Sequence, residues 1–264
     1  IPGICEMMHW VLQENIHQEW GMSRLIEVLL RERYTFSVHK VIPFVGEITP
    51  DISPANPVIC IGSYSMGRVA KKKNWYPGIF SLDHVTFQMM KDHWGEHLLN
   101  ADGVVTDFID VSTSLNQFFI RPESDAKLFG GKVIGYEEYM TWCSEIMRSE
   151  NGICKETGLR CDTPVITAAP KKIFRENRFW IVGGEVVTYS QYKIGDRVAH
   201  DANVDQDIIE FAIARVEEWE PCPAFVLDIA LTPTGCKVIE LNCINFAGFY
   251  AANIDNLVYA LVTR

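Results

Sequence analysis

Three oxygen-bearing side chains near the C-terminal end of the chain have the types and spacing to do chemistry. In 225-FVLDIALTPTGCKVIELNCIN-245, Phe225, Val226, Leu227, Ile229 and Leu231 form an apolar strand that Asp228 interrupts. Thr232 to Gly235 supply a Pro-Thr-Gly turn, and Lys237 to Leu241 read as a second strand. Alternate residues of a strand share a face, so Glu240 and Asn242 point the same way. If the hairpin pairs about its turn, Asp228 falls opposite them. A carboxylate in an apolar strand is costly unless it is paired or bound to a metal. Two carboxylates and an amide oxygen suit a hard cation such as Mg²⁺, which keeps waters and accepts substrate phosphates. The same spacing also fits a structural arrangement, in which Asp228 caps a turn and Glu240 meets a basic side chain.

A second set of chemically capable residues lies in 117-QFFIRPESDAKLFGGKVI-134. An apolar strand runs into Arg121 and a polar loop, followed by Lys127, Gly130, Gly131 and Lys132. Cations around glycines after a strand suit a triphosphate, because the glycines let backbone amides approach. The GxxxxGK[ST] pattern of a P-loop is absent, and a basic hairpin tip is the plain alternative. Gly62 to Gly67, ahead of a helix with Arg68, Lys71, Lys72 and Lys73, reads as a structural turn and a solvated helix end rather than an anion site. His93 and His97 have zinc-compatible i, i+4 spacing but no third ligand nearby, so surface or core histidines are expected. No Ser-His-Asp or Cys-His arrangement competes for the chemistry.

These residues sit in a chain of 264 residues, 48% hydrophobic, with net charge −10 from 34 acidic and 24 basic residues. The length suits two domains, or one α/β domain with subdomains. The acidic balance argues against a general nucleic-acid binder. Eight cysteines are scattered without Cys-x-x-Cys pairs or zinc-ligand spacing. The expectation is a reduced, cytoplasmic protein. No apolar run is long enough to span a bilayer and no secretory signal is visible, so no membrane association is expected. Oligomeric state is not legible.

The elements that must position the residues follow from periodicity. His9 to Leu12, Phe36 to Phe44 and Val58 to Ile61 are strand candidates. An amphipathic helix is expected over 22–33 and another helix, opened by Gly62 to Gly67, through 68–73, giving a small, mainly parallel sheet. A helix is expected over 86–100 and another over 137–148, followed by a loop over 151–162. Val165 to Ala168 is a strand. Ile173 to Val182 and Glu185 to Tyr192 form a hairpin about Gly183-Gly184. A helix over 208–219 precedes the metal-candidate hairpin, and a closing helix ends the chain.

In order, FIRPESDAKLFGGKV, FRENRFWIVGGEVVTYSQYK and VLDIALTPTGCKVIELNCINFAGFYA resemble the ATP-grasp superfamily. The resemblance is to the clade named for one arginine and two lysines. IGSYSMGRVAKKKNWYPGIF and DHWGEHLLNAD are similar to that clade's N-terminal region. The resemblance implies an α/β protein, with a Rossmann-like pre-ATP-grasp domain over 1–115 and an ATP-grasp domain over 116–264. Two α+β subdomains of the latter would clamp ATP. It implies that Arg121, Lys127 and Lys132 serve the phosphates and that the backbone of Thr167, Ala168 and Ala169 meets adenine. Glu176, Arg178 and Lys193 would face the reacting groups, with Asp228, Glu240 and Asn242 as Mg²⁺ ligands and Asn245 in the loop beyond. Arg178 and Lys193 stay open between stabilising developing charge and holding a substrate carboxylate. The implied activity is ATP- and Mg²⁺-dependent carboxylate–amine ligation through an acyl phosphate, on small-molecule or peptide or protein substrates. A kinase-like phosphotransferase and a non-catalytic nucleotide-binding module are the alternatives.

Overall fold

The computed structural model describes residues 8–16, 21–42, 45–123, 128–155 and 157–264. The chain divides into two compact units that do not follow chain order. One joins Ile1–Leu82 to Ile173–Arg264, and the other is Asp83–Lys172.

In the first unit, β1 (His9–Gln13) is followed by α1 (Met22–Arg31), β2 (Thr35–Ile42), β3 (Glu47–Thr49), β4 (Val58–Ile61), α2 (Tyr64–Lys72) and the short β5 (Pro77–Gly78). The sheet order is β3-β2-β1-β4-β5. β1 pairs in parallel with β2 and β4, β4 pairs in parallel with β5, and only β3 is antiparallel. Central β1 and β4 are buried on both faces, which is why they read as continuous apolar runs. A Cβ at Gly62 would stand 2.7 Å from Gln13 Oε1 and 2.9 Å from Gln13 Cβ. Close packing therefore accounts for that glycine. Lys72 and Lys73 pair with Glu47 and Asp51 on the exposed end of α2, in line with a solvated helix end.

The second unit carries α3 (Phe87–Trp94), β6 (Val104–Asp107), β7 (Gln117–Pro122), β8 (Lys132–Gly135), α4 (Tyr136–Arg148) and β9 (Pro164–Ala168). The strands form an antiparallel sheet of order β6-β9-β7-β8. Phe118, Ile120, Ile134 and Val165 pack with Tyr139, Trp142 and Ile146 of α4 in one core. The helix expected over 86–100 is shorter than its apolar spacing suggests. Gly95, at φ 48, ends α3 and a 3₁₀ turn follows, so His93 and His97 do not share a helical face.

The chain then returns to the first unit through β10 (Arg175–Val182), β11 (Glu185–Ile194), β12 (Arg197–Asp201), α5 (Gln206–Glu218), β13 (Ala224–Thr232), β14 (Gly235–Cys243) and α6 (Ile254–Thr263). The second sheet is antiparallel, of order β12-β11-β10-β13-β14. Gly183 and Gly184 both have positive φ (57 and 73), as a two-residue hairpin of this hand requires. One hydrophobic core joins Trp10 and Leu12 of β1, Leu25 and Leu29 of α1, Trp180 and Val226 of the second sheet, and Leu257, Val258 and Leu261 of α6. That shared core explains why the N-terminal and C-terminal segments fold as one unit. The seven cysteines among the described residues are free thiols, and burial pushes Cys60 up to about 12. Among the described residues, no helix is long and apolar enough to cross a membrane.

Candidate functional site

The sheet of β10 to β14 lines up the metal-candidate residues by register. Arg178 on β10 is paired with Asp228 on β13, and Asp228 with Glu240 on β14. Register partners on antiparallel strands share a face, so the three form a row across the sheet. Arg178 donates two hydrogen bonds to Asp228, Nε to Oδ1 at 2.8 Å and Nη2 to Oδ2 at 2.7 Å. Both residues are buried. Asn242, two residues beyond Glu240, donates its amide to Asp228 Oδ2 and Glu240 Oε1, each at 3.1 Å. Asp228, Glu240 and Asn242 therefore meet, and it is a bulge at Ile239, between the pairs Ile229–Val238 and Asp228–Glu240, that brings Glu240 opposite Asp228.

An irregularity in β11 builds the adjacent part. Asn177 pairs with Gln191 and Glu176 with Lys193, which leaves Tyr192 as the extra residue of a bulge. Tyr192 and Lys193 consequently both reach Glu176. The Tyr192 hydroxyl donates to Oε2 at 2.7 Å and Lys193 Nζ donates to Oε1 at 2.8 Å. Arg178 also lies over the rings of Tyr192 and Tyr250, at 5.5 and 5.0 Å from their centroids. The two rings stack on each other at 5.2 Å. Arg178 is thus a guanidinium held by Asp228 beside two stacked rings.

The electrostatics follow from burial. Desolvation pushes the Asp228 carboxyl above its ordinary value, with Glu240 and Glu176 adding to the rise and Arg178 opposing it. Burial pulls the Arg178 guanidinium down, but Asp228 outweighs it and the group stays cationic. Burial, then Asp228 and Glu176, push the Tyr192 hydroxyl far up, so it remains a donor. This network joins three carboxylates (Asp228, Glu240, Glu176) to two cations (Arg178, Lys193). A hard divalent cation fits the oxygen donors of Asp228 and Glu240, with Asn242 turned to present its carbonyl oxygen. Among the described residues, no three His, Cys, Asp or Glu side chains are grouped so that they could hold a metal ion by themselves. Two carboxylates and an amide leave positions for water and phosphate oxygens, the coordination Mg²⁺ favours.

In the second unit the cations separate. Lys132 pairs with Ile120 and Arg121 with Ile166, and Ile120 and Arg121 are neighbours on β7. Lys132 therefore lies on the α4 side of the sheet and Arg121 on the other. Lys132 donates to Glu138 at 2.8 Å and sits 4.5 Å above the Trp142 ring. The expectation of one basic cluster is corrected for this pair, because strand alternation sends them to opposite faces. Lys127 falls outside the described residues. Thr167 pairs with Val104 and Ile120 inside the ladder, and Ala168 pairs with Phe119. Ala169 lies just past the strand end. Its amide donates to Asp102 Oδ2 at 3.0 Å, and Lys171 bridges Asp102 and the Ala169 carbonyl.

Residues 66–261 match the model of an ATP-grasp domain, family 3 of the clade named for one arginine and two lysines. The chain belongs to the ATP-grasp family. Solved structures agree in fold across nearly the whole chain. D-cycloserine synthetase DcsG superposes with TM-score 0.62 at 12% identity, covering 97% of this chain and 98% of its own. D-alanine–D-alanine ligase from Bacillus anthracis, complexed with ATP, gives 0.61 at 11% identity, covering 97% of each chain. The ATP-grasp ligase PsnB, complexed with precursor peptide PsnA2 and AMPPNP, gives 0.56 at 12% identity, covering 99% and 98%. Comparison with curated protein sequences finds no match. ATP-grasp ligases use ATP and Mg²⁺, and membership places this chain among ATP-dependent enzymes.

Sequence reasoning missed Tyr192, Tyr250 and Asp102. Tyr192 reaches the site only through the bulge, and no residue type in 185–194 announces one. Tyr250 lies within a motif that carries the resemblance, but nothing in the sequence marks its backbone conformation. Asn245, by contrast, is a buried structural residue. Its Nδ2 donates to the Cys60 carbonyl at 2.7 Å, and its Oδ1 accepts from the Phe80 amide at 2.7 Å.

Proposed function

We propose that this protein is a carboxylate–amine ligase that works through an acyl phosphate and joins an amino acid or peptide-like amine to a carboxylate. The observation that carries the reading is the row Arg178–Asp228–Glu240 with Asn242 between the two acids, which gathers two carboxylates and an amide on one face. In this reading 116–264 is the ATP-grasp domain and 1–115 precedes it. Asp228, Glu240 and Asn242 hold Mg²⁺, which when bound neutralises phosphate charge. Arg178 keeps Asp228 ionised and oriented within its burial. Glu176, with Lys193 and Tyr192 upon it, holds the neighbouring stretch of the same face and orients Lys193 toward a substrate carboxylate. Arg121 serves the nucleotide phosphates together with Lys127, and Lys132 supports the loop from its place on Glu138 and Trp142. Thr167, Ala168 and Ala169 border adenine, with the Ala169 end held by Asp102 and Lys171.

The chemistry needs charge neutralisation and alignment rather than a protein nucleophile. A carboxylate oxygen of the substrate attacks the γ-phosphorus of ATP and ADP leaves. The amine then attacks the acyl carbon and inorganic phosphate leaves, the amine giving its proton to solvent. A cytoplasmic setting, with ATP, Mg²⁺ and reduced thiols, suits this reaction and the free cysteines. The deciding experiment is an ADP-release screen of carboxylates with and without amines, with hydroxylamine as a trap for the acyl phosphate. A hydroxamate product, and full ADP release only when an amine is present, support ligation. Full-rate ADP release with one substrate and a stable phosphorylated product would establish the kinase-like alternative instead.

A further inference from the structure

Tyr250 has a backbone φ of 49, the left-handed region that a residue with a Cβ adopts at a cost. Such conformations persist where the surroundings impose them and gather at functional sites. The surroundings here are specific. The Ala251 amide donates to Ser190 Oγ at 3.1 Å, and the Asn253 amide donates to Thr188 Oγ1 at 2.8 Å. Both hydroxyls belong to buried residues of β11, and Ser190 is the register partner of Arg178. Two hydroxyls on the strand beside Arg178 therefore stitch down the segment that follows Tyr250. The turn at Tyr250 is what brings its ring over the guanidinium, 5.0 Å from centroid to Cζ. Tyr192 stacks on the same ring at an interplanar angle of 18°, and His200 approaches it at 4.8 Å.

We propose that Tyr250 is a positioning residue, whose ring holds the Arg178 guanidinium flat against Asp228 and so sets the Asp228–Glu240–Asn242 cluster for a divalent cation. The proposal rests on the reading of that cluster as the metal site. A guanidinium bound bidentately to a carboxylate can still pivot about its long side chain. Contact with the stacked pair of rings limits that freedom. Packing alone would be served more cheaply by a residue at ease in the left-handed region. What a tyrosine adds at position 250 is the ring.

Tyr250→Gly tests this directly, because glycine suits the backbone and removes only the side chain. Tyr250→Asn, another residue that tolerates the conformation, guards against a glycine-specific effect. Two readouts are needed. The first is the NMR resonance of the Arg178 Nε–H, shifted by the rings and protected by Asp228 in the wild type, which requires no metal. The second is Mn²⁺ affinity measured by electron paramagnetic resonance in the presence of a non-hydrolysable ATP analogue. In both variants the Arg178 resonance should lose its ring shift and Mn²⁺ should bind about five- to tenfold more weakly, the range of a cation–π contact. Tyr250→Phe, which keeps the ring, should retain both signals. An unchanged Arg178 resonance, or Mn²⁺ affinity within about twofold of wild type, overturns the proposal. Undiminished Mn²⁺ binding in Glu240→Gln would instead overturn the metal-site reading, and the metal-free Arg178 resonance would still decide whether Tyr250 positions the guanidinium.

Discussion

Arg178 and Asp228 face each other as register partners across β10 and β13 and are joined by two hydrogen bonds of 2.8 and 2.7 Å. Removing one partner of a buried ion pair strands the other, which costs about 3–5 kcal/mol. Arg178→Met should therefore lower unfolding free energy by that order in urea titrations. The double variant Arg178→Met/Asp228→Leu should recover most of it, since apolar replacements of both partners are often neutral. If the double variant stays as unstable as the single, the pair is not what holds this part of the sheet. Neither variant should bind Mn²⁺ with nucleotide.

Glu240 differs from Asp228 in being only half-buried, at the far side of the row. Its loss removes an oxygen donor at a position that water reaches. Glu240→Gln should keep stability within about 1 kcal/mol of wild type. It should abolish the Mg²⁺ dependence of binding a non-hydrolysable ATP analogue, measured by calorimetry with and without the metal. Mg²⁺-dependent binding of equal strength in the variant would remove Glu240 from the metal site.

The contrast between these two acids shows how far the sequence could be read. Alternation puts Glu240 and Asn242 on one face, but the turn alone would set Asp228 opposite Ile239; a one-residue bulge in β14 shifts the register and brings Glu240 opposite Asp228. What pairs with that face comes from another hairpin, and the alignment of Arg178 with Asp228 follows from the pairing of β10 with β13, which local pattern does not contain. The bulge at Tyr192 is likewise a property of two strands together. The antiparallel sheet of the second unit was half legible. β7 and β9 are apolar runs, whereas β6 and β8 are short and exposed enough to pass for loops. The separation of Arg121 from Lys132 needs the register of β7 and β8, since a charge count along 121–132 says nothing about faces.

Asp102 gives a prediction with a pH sign. Partial burial would push its carboxyl up, but the hydrogen bonds from Lys171 and the Ala169 amide outweigh that and hold it below its ordinary 3.8. A group whose folded value is lowered contributes stability that is present above the unfolded value and is lost as pH falls through the folded one. The Ala169 amide shift should therefore stay constant from neutral pH down to about 4 and move only below it, in an NMR titration. Asp102→Asn should leave the fold intact, because the site is largely exposed. It should weaken binding of the ATP analogue about three- to tenfold, the scale of one or two lost hydrogen bonds, if Ala169 borders adenine as proposed. Undiminished nucleotide affinity would detach Ala169 from the nucleotide site.

Asn245 tests the opposite kind of role. It follows Glu240 and Asn242 closely in sequence, yet its side chain turns away from them into the first sheet. There it donates to the carbonyls of Cys60 and Gly78, at 2.7 and 3.4 Å, and accepts from the Phe80 amide at 2.7 Å. The backbone adds a bond from the Gly62 amide to the Asn245 carbonyl at 2.9 Å. Asn245 thus fastens the end of β14 to β4 and to the strand-end segment 78–80. Asn245→Ala would leave the Cys60 carbonyl and the Phe80 amide without these partners in a buried place, at about 1–3 kcal/mol for each group that water cannot reach. The expected outcome is a loss of roughly 2–4 kcal/mol in urea unfolding. Metal and nucleotide affinities should be unchanged below the transition, because no oxygen of Asn245 faces the carboxylate cluster. Asn245→Asp should be at least as damaging, since it also replaces two donors by an acceptor facing the Cys60 carbonyl. Should Asn245→Ala instead fold as stably as wild type and lose Mn²⁺ binding, Asn245 would join the metal ligands.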